Sequence, residues 1–192
     1  GIEITLNAVL EYFDRCAKAL SEYKEEKMIC MREAIINLRH NPPSNMYEAL
    51  LLSWIYWNLE EFVDSFRVRS MGAMDVLYYD FYKNDIKNGT FTKENIKELL
   101  VYYMNEFNAV RSMYQQPMYI GGMDKDGNCV VNELSYLFLD AYNILSRPNP
   151  KLQAKINENT PDEFIKKVCE TIRNGNSSIS IINDDNTYKA FT

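Results

Sequence analysis

Residues 121–135 read GGMDKDGNCVVNELS: a glycine pair, an acid-flanked turn, then polar residues leading into an apolar run. The stretch resembles a calcium loop, a plain hairpin, or a piece of something larger. An EF-hand loop needs oxygen ligands at its first, third, fifth, seventh and ninth positions, a glycine at the sixth and a bidentate glutamate at the twelfth. Counting from Asp124, Gly127 falls at the fourth position and Ser135 at the twelfth, so the calcium reading fails on spacing. What remains is a tight turn at Asp126-Gly127, both able to take positive φ, joining a strand that ends at Asp124 to a short strand from Cys129 to Val131. Asn132 then caps the helix ELSYLFLDAY. Asp124, Gly127 and Asn132 are thus turn and cap residues, and Gly121-Gly122 lets the backbone pass close to a neighbouring element.

Working outward, QQPMYIGGMD is the first stretch without a helical pattern, and Pro117, Tyr119 and Ile120 predict a strand. Asn132 to Leu145 predicts a helix that RPNPK breaks. KLQAKIN alternates Leu152, Ala154 and Ile156 as a second strand. Asn159-Thr160-Pro161-Asp162-Glu163 starts a helix carrying Phe164, Val168 and Ile172 and ending at Gly175. SSISIINDD predicts a third strand. Strands alternating with helices are the signature of a parallel sheet. The chain stops shortly after Asp184, where another helix is expected, which reads as an unfinished domain.

Upstream the pattern is helical. Leu6, Val9, Leu10, Phe13, then Leu20, Tyr23, Met28, Met31, Ile35 and Leu38 predict one or two helices ending before Asn41. Pro42-Pro43 blocks continuation, and Ser44 is the expected N-cap of the next helix. MYEALLLSWIYWNLEEF is apolar nearly all round, which predicts burial on most sides, with Trp54 and Trp57 in the core. Met74, Leu77, Tyr78, Phe81 and Tyr82 form the face of one further helix stopped by Asn88-Gly89, and Thr92 caps another that runs to Val110, with Asn95 at its third position. Residues 1–40 are read as N-terminal helices and 41–192 as one structural unit.

Composition excludes several classes. The net charge of −6, with lysines and glutamates interleaved, lacks the basic face that nucleic acid requires. No apolar run approaches membrane-helix length, and GIEITLNAVLEYFDRC carries acids where a signal peptide needs cations, so a cytoplasmic protein without a membrane partner is expected. Cys16, Cys30, Cys129 and Cys169 are scattered, with no CxxC pair and no neighbouring histidine, which predicts reduced structural thiols and no metal site. His40, in RHNPP, reads as a charge at a helix C-terminus. The nine methionines and fourteen tyrosines predict exposed apolar surface and a homo-oligomer, a dimer or higher.

Taken in order, NPPSNMYEALLLSWIYW, MGAMDVLYYDFYKNDIKNGTFTKENIKELL, GGMDKDGNCVVNELSYLFLDA, RPNPKLQAKINENTPDEFIKKVCETIRNG and SIINDD resemble consecutive blocks of the glycyl radical enzymes, the pyruvate formate-lyase-like family. The group resembled is that of glycerol and diol dehydratases, choline lyase and arylacetate decarboxylases, and the likeness runs from Asn41 to Asp185. It implies a helix-rich α/β fold, a partial glycyl-radical-enzyme barrel: an incomplete parallel half-barrel with surrounding helices. It also implies a chemistry. A glycyl radical near the family's C-terminus, installed by a separate S-adenosylmethionine and iron-sulfur activating enzyme, oxidises a cysteine in a Gly-Cys-x-Glu motif to a thiyl radical that takes a hydrogen atom from substrate. A barrel interior is a natural container for a radical that water or oxygen would quench.

Neither Gly-Cys-x-Glu nor the Arg-Val-x-Gly-Tyr radical motif occurs in these 192 residues, so no catalytic residue and no cofactor is assigned to the chain. It is expected to be a fragment or truncated relative of a radical lyase or dehydratase, silent alone and partnered by the remaining enzyme and an activating enzyme. The alternative is a stand-alone binding or oligomerisation protein derived from that family. Ala73 and Lys155 stand where the family usually carries arginine, and Ile179 where it carries proline; lysine does not reproduce a guanidinium fork. Gln115, Gln116, Tyr119, Ser178, Ser180 and Asn183 are the candidate substrate-lining residues.

Overall fold

The computed structural model describes residues 1–63, 70–110 and 116–191. They divide into two compact units, Gly1–Ile55 and Tyr56–Thr192, with the division inside one helix.

The first unit holds α1 (Ile2–Leu20), α2 (Glu26–His40) and the start of α3 (Met46–Phe62). Helices α1 and α2 pack together, with Phe13, Ala34, Ile35 and Leu38 buried and an Arg39–Asp14 pair at 3.1 Å. The expected cap at Ser44 is corrected by one residue. Asn45 Oδ1 accepts the Glu48 N–H at 2.9 Å, while the Glu48 carboxylate reaches back to the Ser44 N–H at 2.7 Å and its hydroxyl at 2.8 Å. A carboxylate three residues inside the helix closes the box better than a hydroxyl one residue too far out. Glu48 also accepts from Asn37 Nδ2, which accounts for its burial. Helix α3 is less uniformly buried than its composition predicts: Tyr56 and Phe62 are more than 60 % exposed, whereas Trp57 is 1 % exposed.

The second unit contains β1 (Gly72–Ala73), α4 (Met74–Leu77), α5 (Tyr79–Asn88), α6 (Lys93–Ala109), β2 (Pro117–Gly121), α7 (Glu133–Leu145), β3 (Lys151–Ile156), α8 (Asp162–Arg173), β4 (Ile179–Asn183) and α9 (Asp184–Phe191). The four strands form one sheet in chain order, every pair parallel. The strands near Tyr119, Ala154 and Ile181 are therefore adjacent and parallel, as the alternation of strands with helices predicts. Strand β1 escapes sequence reading because two residues carry no period. Just after it, the single helix expected across 74–82 breaks at Tyr78 into α4 and α5 and leaves Leu77 58 % exposed.

Consecutive parallel strands linked by crossovers of one hand receive their helices on one face. Burial agrees: Met118, Ile120, Leu152 and Ala154 are fully buried, each worth about 1–3 kcal/mol of apolar transfer depending on size. Helices α6 and α7 pack together, and α7 in turn on α8, with Leu134, Phe138, Leu139, Phe164 and Val168 in the core. Thr92 and Asn95 close the expected capping box of α6, and Gly89 ends α5 in the left-handed region at φ +70°.

The hairpin is smaller than expected. Strand β2 ends at Gly121, not Asp124, and the return is a single antiparallel bridge between Met123 and Cys129. Only Gly127 of the Asp126-Gly127 pair has positive φ, so the two-residue turn is replaced by a wider loop in which Asp124 N–H donates to the Asn128 carbonyl. Among the described residues no helix is long and apolar enough to cross a membrane.

Candidate functional site

The sheet face opposite the helices carries a polar row. Register places Ala73, Tyr119, Gln153 and Ser180 side by side on β1 to β4. Tyr119 and Gln153 are half-buried and Ser180 is exposed. One step along β3, Lys155 extends over the same face, its Nζ 5.5 Å from the Tyr119 ring centroid. The row offers a phenol, a carboxamide, a hydroxyl and one cation.

The C-terminal ends of these strands form a rim held by two aspartates on either side of Gly121-Gly122. On one side Asp184, 6 % exposed, pairs with Lys155 Nζ at 2.9 Å and accepts the Met123 N–H at 3.1 Å. A Cβ on Gly122 would lie 2.7 Å from Asp184 Oδ2, so the carboxylate occupies the space that glycine leaves. Asp185 accepts the Glu158 N–H at 2.9 Å, and Asn183 Oδ1 accepts from Asn186 N–H at the start of α9. The block SIINDD thus ties the β2 and β3 exits to the end of β4. On the other side lies Asp75, fully buried in α4, which accepts from the Gly121 N–H at 2.7 Å and from the Ser135 hydroxyl. Burial pushes its carboxyl up to about 6, against the pull of both hydrogen bonds.

Of the six candidate lining residues, the structure brings Tyr119 and Ser180 together on the polar row. Gln115 lies outside the described residues. Gln116 is buried beside the start of β2, and Ser178 is buried and accepts from Lys151 Nζ at 2.9 Å. Asn183 is drawn into capping α9. At the turn, Asp124 accepts the N–H groups of Asp126 and Asn128, both at 2.9 Å, and Asn132 Oδ1 accepts from Leu134 and Ser135 N–H. Asn132 Nδ2 also donates to the Asp75 carbonyl at 3.0 Å, joining the cap to the rim. Asn132→Ala is therefore expected to cost about 1–2 kcal/mol, the upper part of the N-cap range, measured as a shift in urea midpoint at constant slope.

Sequence reading missed Asp75, Ser135 and Gln153. Gln153 had a signal, since it sits between the two inward residues Leu152 and Ala154 and must face the other way. Asp75 had only a faint one, a lone acid in the apolar run MGAMDVL. Among the described residues no group of three or more His, Cys, Asp or Glu side chains is placed to hold a metal ion. Cys16, Cys30 and Cys169 sit on α1, α2 and α8, and Cys129 on the hairpin bridge, so none lies on the polar row and no radical step is derived through them.

Comparison with known proteins gives this geometry its context. A family model described as pyruvate formate lyase-like matches residues 1–192. Isethionate sulfite-lyase of Oleidesulfovibrio alaskensis is 27 % identical, over 96 % of this chain and 25 % of its own length. The (2S)-3-sulfopropanediol dehydratase of Klebsiella oxytoca is 27 % identical, over 97 % of this chain and 25 % of its own length. The solved structure of a glycyl radical enzyme from Archaeoglobus fulgidus superposes with a TM-score of 0.84 at 25 % identity, covering 91 % of this chain and 25 % of that one. The chain spans about a quarter of the length of the curated relatives it matches.

Proposed function

The chain belongs to the pyruvate formate lyase-like family, and from that premise we propose that it supplies part of the barrel wall of a glycyl radical lyase or dehydratase. In this reading it contributes an arc of strands, a polar inner row and an aspartate-held rim. The reaction, cleavage of a carbon–carbon, carbon–oxygen or carbon–heteroatom bond in a small organic substrate, is started by residues the 192-residue sequence does not contain. The observation that carries it is the four-stranded parallel sheet in chain order, with helices on one face and hydrogen-bonding side chains on the other. Such a sheet is half of what a closed barrel needs to enclose a radical away from water.

The remaining enzyme and an activating enzyme are the partners this reading requires, and an anaerobic cytoplasm, free of the oxygen that would quench the radical, is the compartment it requires. Electron paramagnetic resonance tests it. The 192-residue chain incubated anaerobically with a family activating enzyme, S-adenosylmethionine and reductant should give no glycyl signal, whereas the gene product read onward in frame past Thr192 should give one and should contain Gly-Cys-x-Glu. A radical signal from the short chain, or a longer frame lacking both motifs, overturns the proposal.

A second reading has its own support in β4, which pairs only with β3 among the described strands and leaves Ile181 44 % exposed. An edge of this kind invites pairing, so a non-catalytic chain that assembles with its own copies through β4 is the alternative. A frame that stops at Thr192, with a stable dimer in solution, favours it over the first.

A further inference from the structure

Asp184 at the rim pairs with Lys155, whereas Asp75 is held by hydrogen bonds from uncharged donors. Asp75 lies in α4 where β1, β2 and α7 meet, and its side chain is fully buried. Oδ2 accepts from the Gly121 N–H and the Ser135 hydroxyl, the Asp75 and Val76 N–H groups at the start of α4 favour the ionised form more weakly, and Oδ1 has no hydrogen-bond partner among the described residues. No cation faces it. From β2 it meets a backbone N–H and from α7 a hydroxyl; β1 offers only Gly72 and Ala73, and the rest of α4 is Met74, Val76 and Leu77. The charged groups of α7 and α5 lie elsewhere: Lys87 is exposed in the last turn of α5, and the others have partners of their own. Glu133 accepts from Tyr82 and Lys93, Asp140 pairs with Lys167, Asp80 pairs with Lys83, and Asp85 is likewise partnered.

A carboxylate in that position keeps half of its charge on an oxygen that accepts no hydrogen bond, which is costly in a low-dielectric interior. Adding a proton to Oδ1 removes the charge and leaves Oδ2 as a carbonyl-type acceptor for the same two bonds. We propose that Asp75 is a proton-dependent positioning residue: its un-ionised carboxyl seals the β1–β2–α7 junction and sets the Gly121-Gly122 turn at the mouth of the polar row, and ionisation loosens that junction. The proposal goes beyond the barrel-wall reading and stands on contacts within this chain, so it can fail or hold independently.

The sign follows from burial. A group whose carboxyl is pushed up to about 6 binds a proton in the folded state across the interval from its ordinary value of 3.8 to about 6, and stability conferred by that proton is lost as pH rises through the interval. Urea unfolding of the full 192-residue chain, wild type against Asp75→Asn, isolates the effect because every other titrating group is common to both. The unfolding equilibrium constant of wild type relative to D75N should rise about 100-fold between pH 4 and pH 7.5, tenfold for each unit of the displaced titration. A ratio that stays flat overturns the proposal. Should D75N fail to fold, ¹³C-carboxyl titration of wild type by NMR decides. One aspartate titrating near pH 6, and higher still when Ser135→Ala removes a donor to the ionised form, supports it; aspartates that all titrate in the ordinary range refute it.

Discussion

Gly121→Ala is expected to destabilise the second unit by about 3 kcal/mol or more, lowering its thermal midpoint by roughly 6–12 °C. Two costs add. Gly121 has φ +68°, where a Cβ costs on the order of 1 kcal/mol. The added carbon would also sit 2.8 Å from the Lys155 carbonyl oxygen, 3.1 Å from the Phe164 ring and 3.2 Å from a Val131 methyl. The carbonyl belongs to the neighbouring strand and cannot rotate away, so β2 and β3 must part at the rim or the turn must move. Either response also strains the Gly121 N–H bond to Asp75. Gly127→Ala is the matched control: its φ is +82° but nothing lies within 4 Å of the added carbon, so only the backbone cost of about 1 kcal/mol applies. Equal losses in the two variants would show that close approach at Gly121 has no energetic weight.

The contrast between those glycines marks how much of the fold the sequence discloses. Gly121-Gly122 was legible as a close-approach pair because no helix or hairpin needs two adjacent glycines in that place, yet which atoms approach could not be read. Lys155 and Asp184 are separated by 29 positions and meet only through the β3–β4 register. Strands β2, β3 and β4 were legible because each alternates or carries β-formers between breakers. Strand β1 was not, since its conformation is imposed by pairing with Met118 and Tyr119 and not by its own side chains. The same applies to the site. Tyr119 and Ser180 follow from strand position, but a two-residue slip in register would have put Tyr119 beside Lys155 in place of Gln153. Asn183 looks like a strand-end ligand group, and it is instead spent on the first turn of α9, a competition between capping and lining that short polar side chains settle locally.

The family assignment and the chain's own contacts meet at one point, the rim. Strand ends that carry an inner polar row must be fixed to within a fraction of an ångström if they are to line a reaction space. Here Asp184 fixes the exits of β2 and β3 with an ion pair that is partly solvated, its lysine side chain 29 % exposed, while Asp75 fixes the end of β2 to the start of α7 with hydrogen bonds in a dry interior. The first device weakens with salt and the second responds to protons. Lys155 fits that arrangement. One ammonium can serve both Asp184 and the Tyr119 ring without the fork geometry that a bidentate grip would impose.

Phe164→Ala carries the other large expected loss, about 3–5 kcal/mol, as for fully buried phenylalanines generally. Phe164 is the first inward residue of α8, packs edge-on against Tyr136 with ring centroids 5.7 Å apart, and lies under the glycine turn. Its removal opens a void bordered by Tyr136, Val131 and the Gly121 backbone, which unfolding by urea should register as a lower midpoint with an unchanged slope. The double variant with Gly121→Ala gives the sharper result. The alanine methyl would then point into the space the ring has vacated, so the ring contact at 3.1 Å disappears while the Lys155 carbonyl contact at 2.8 Å remains. Losses should therefore be less than additive, with a coupling of about 0.5–1 kcal/mol. Strict additivity would mean that Phe164 does not press on the turn, and that the requirement for glycine at 121 comes wholly from its backbone angle and the approach of β3.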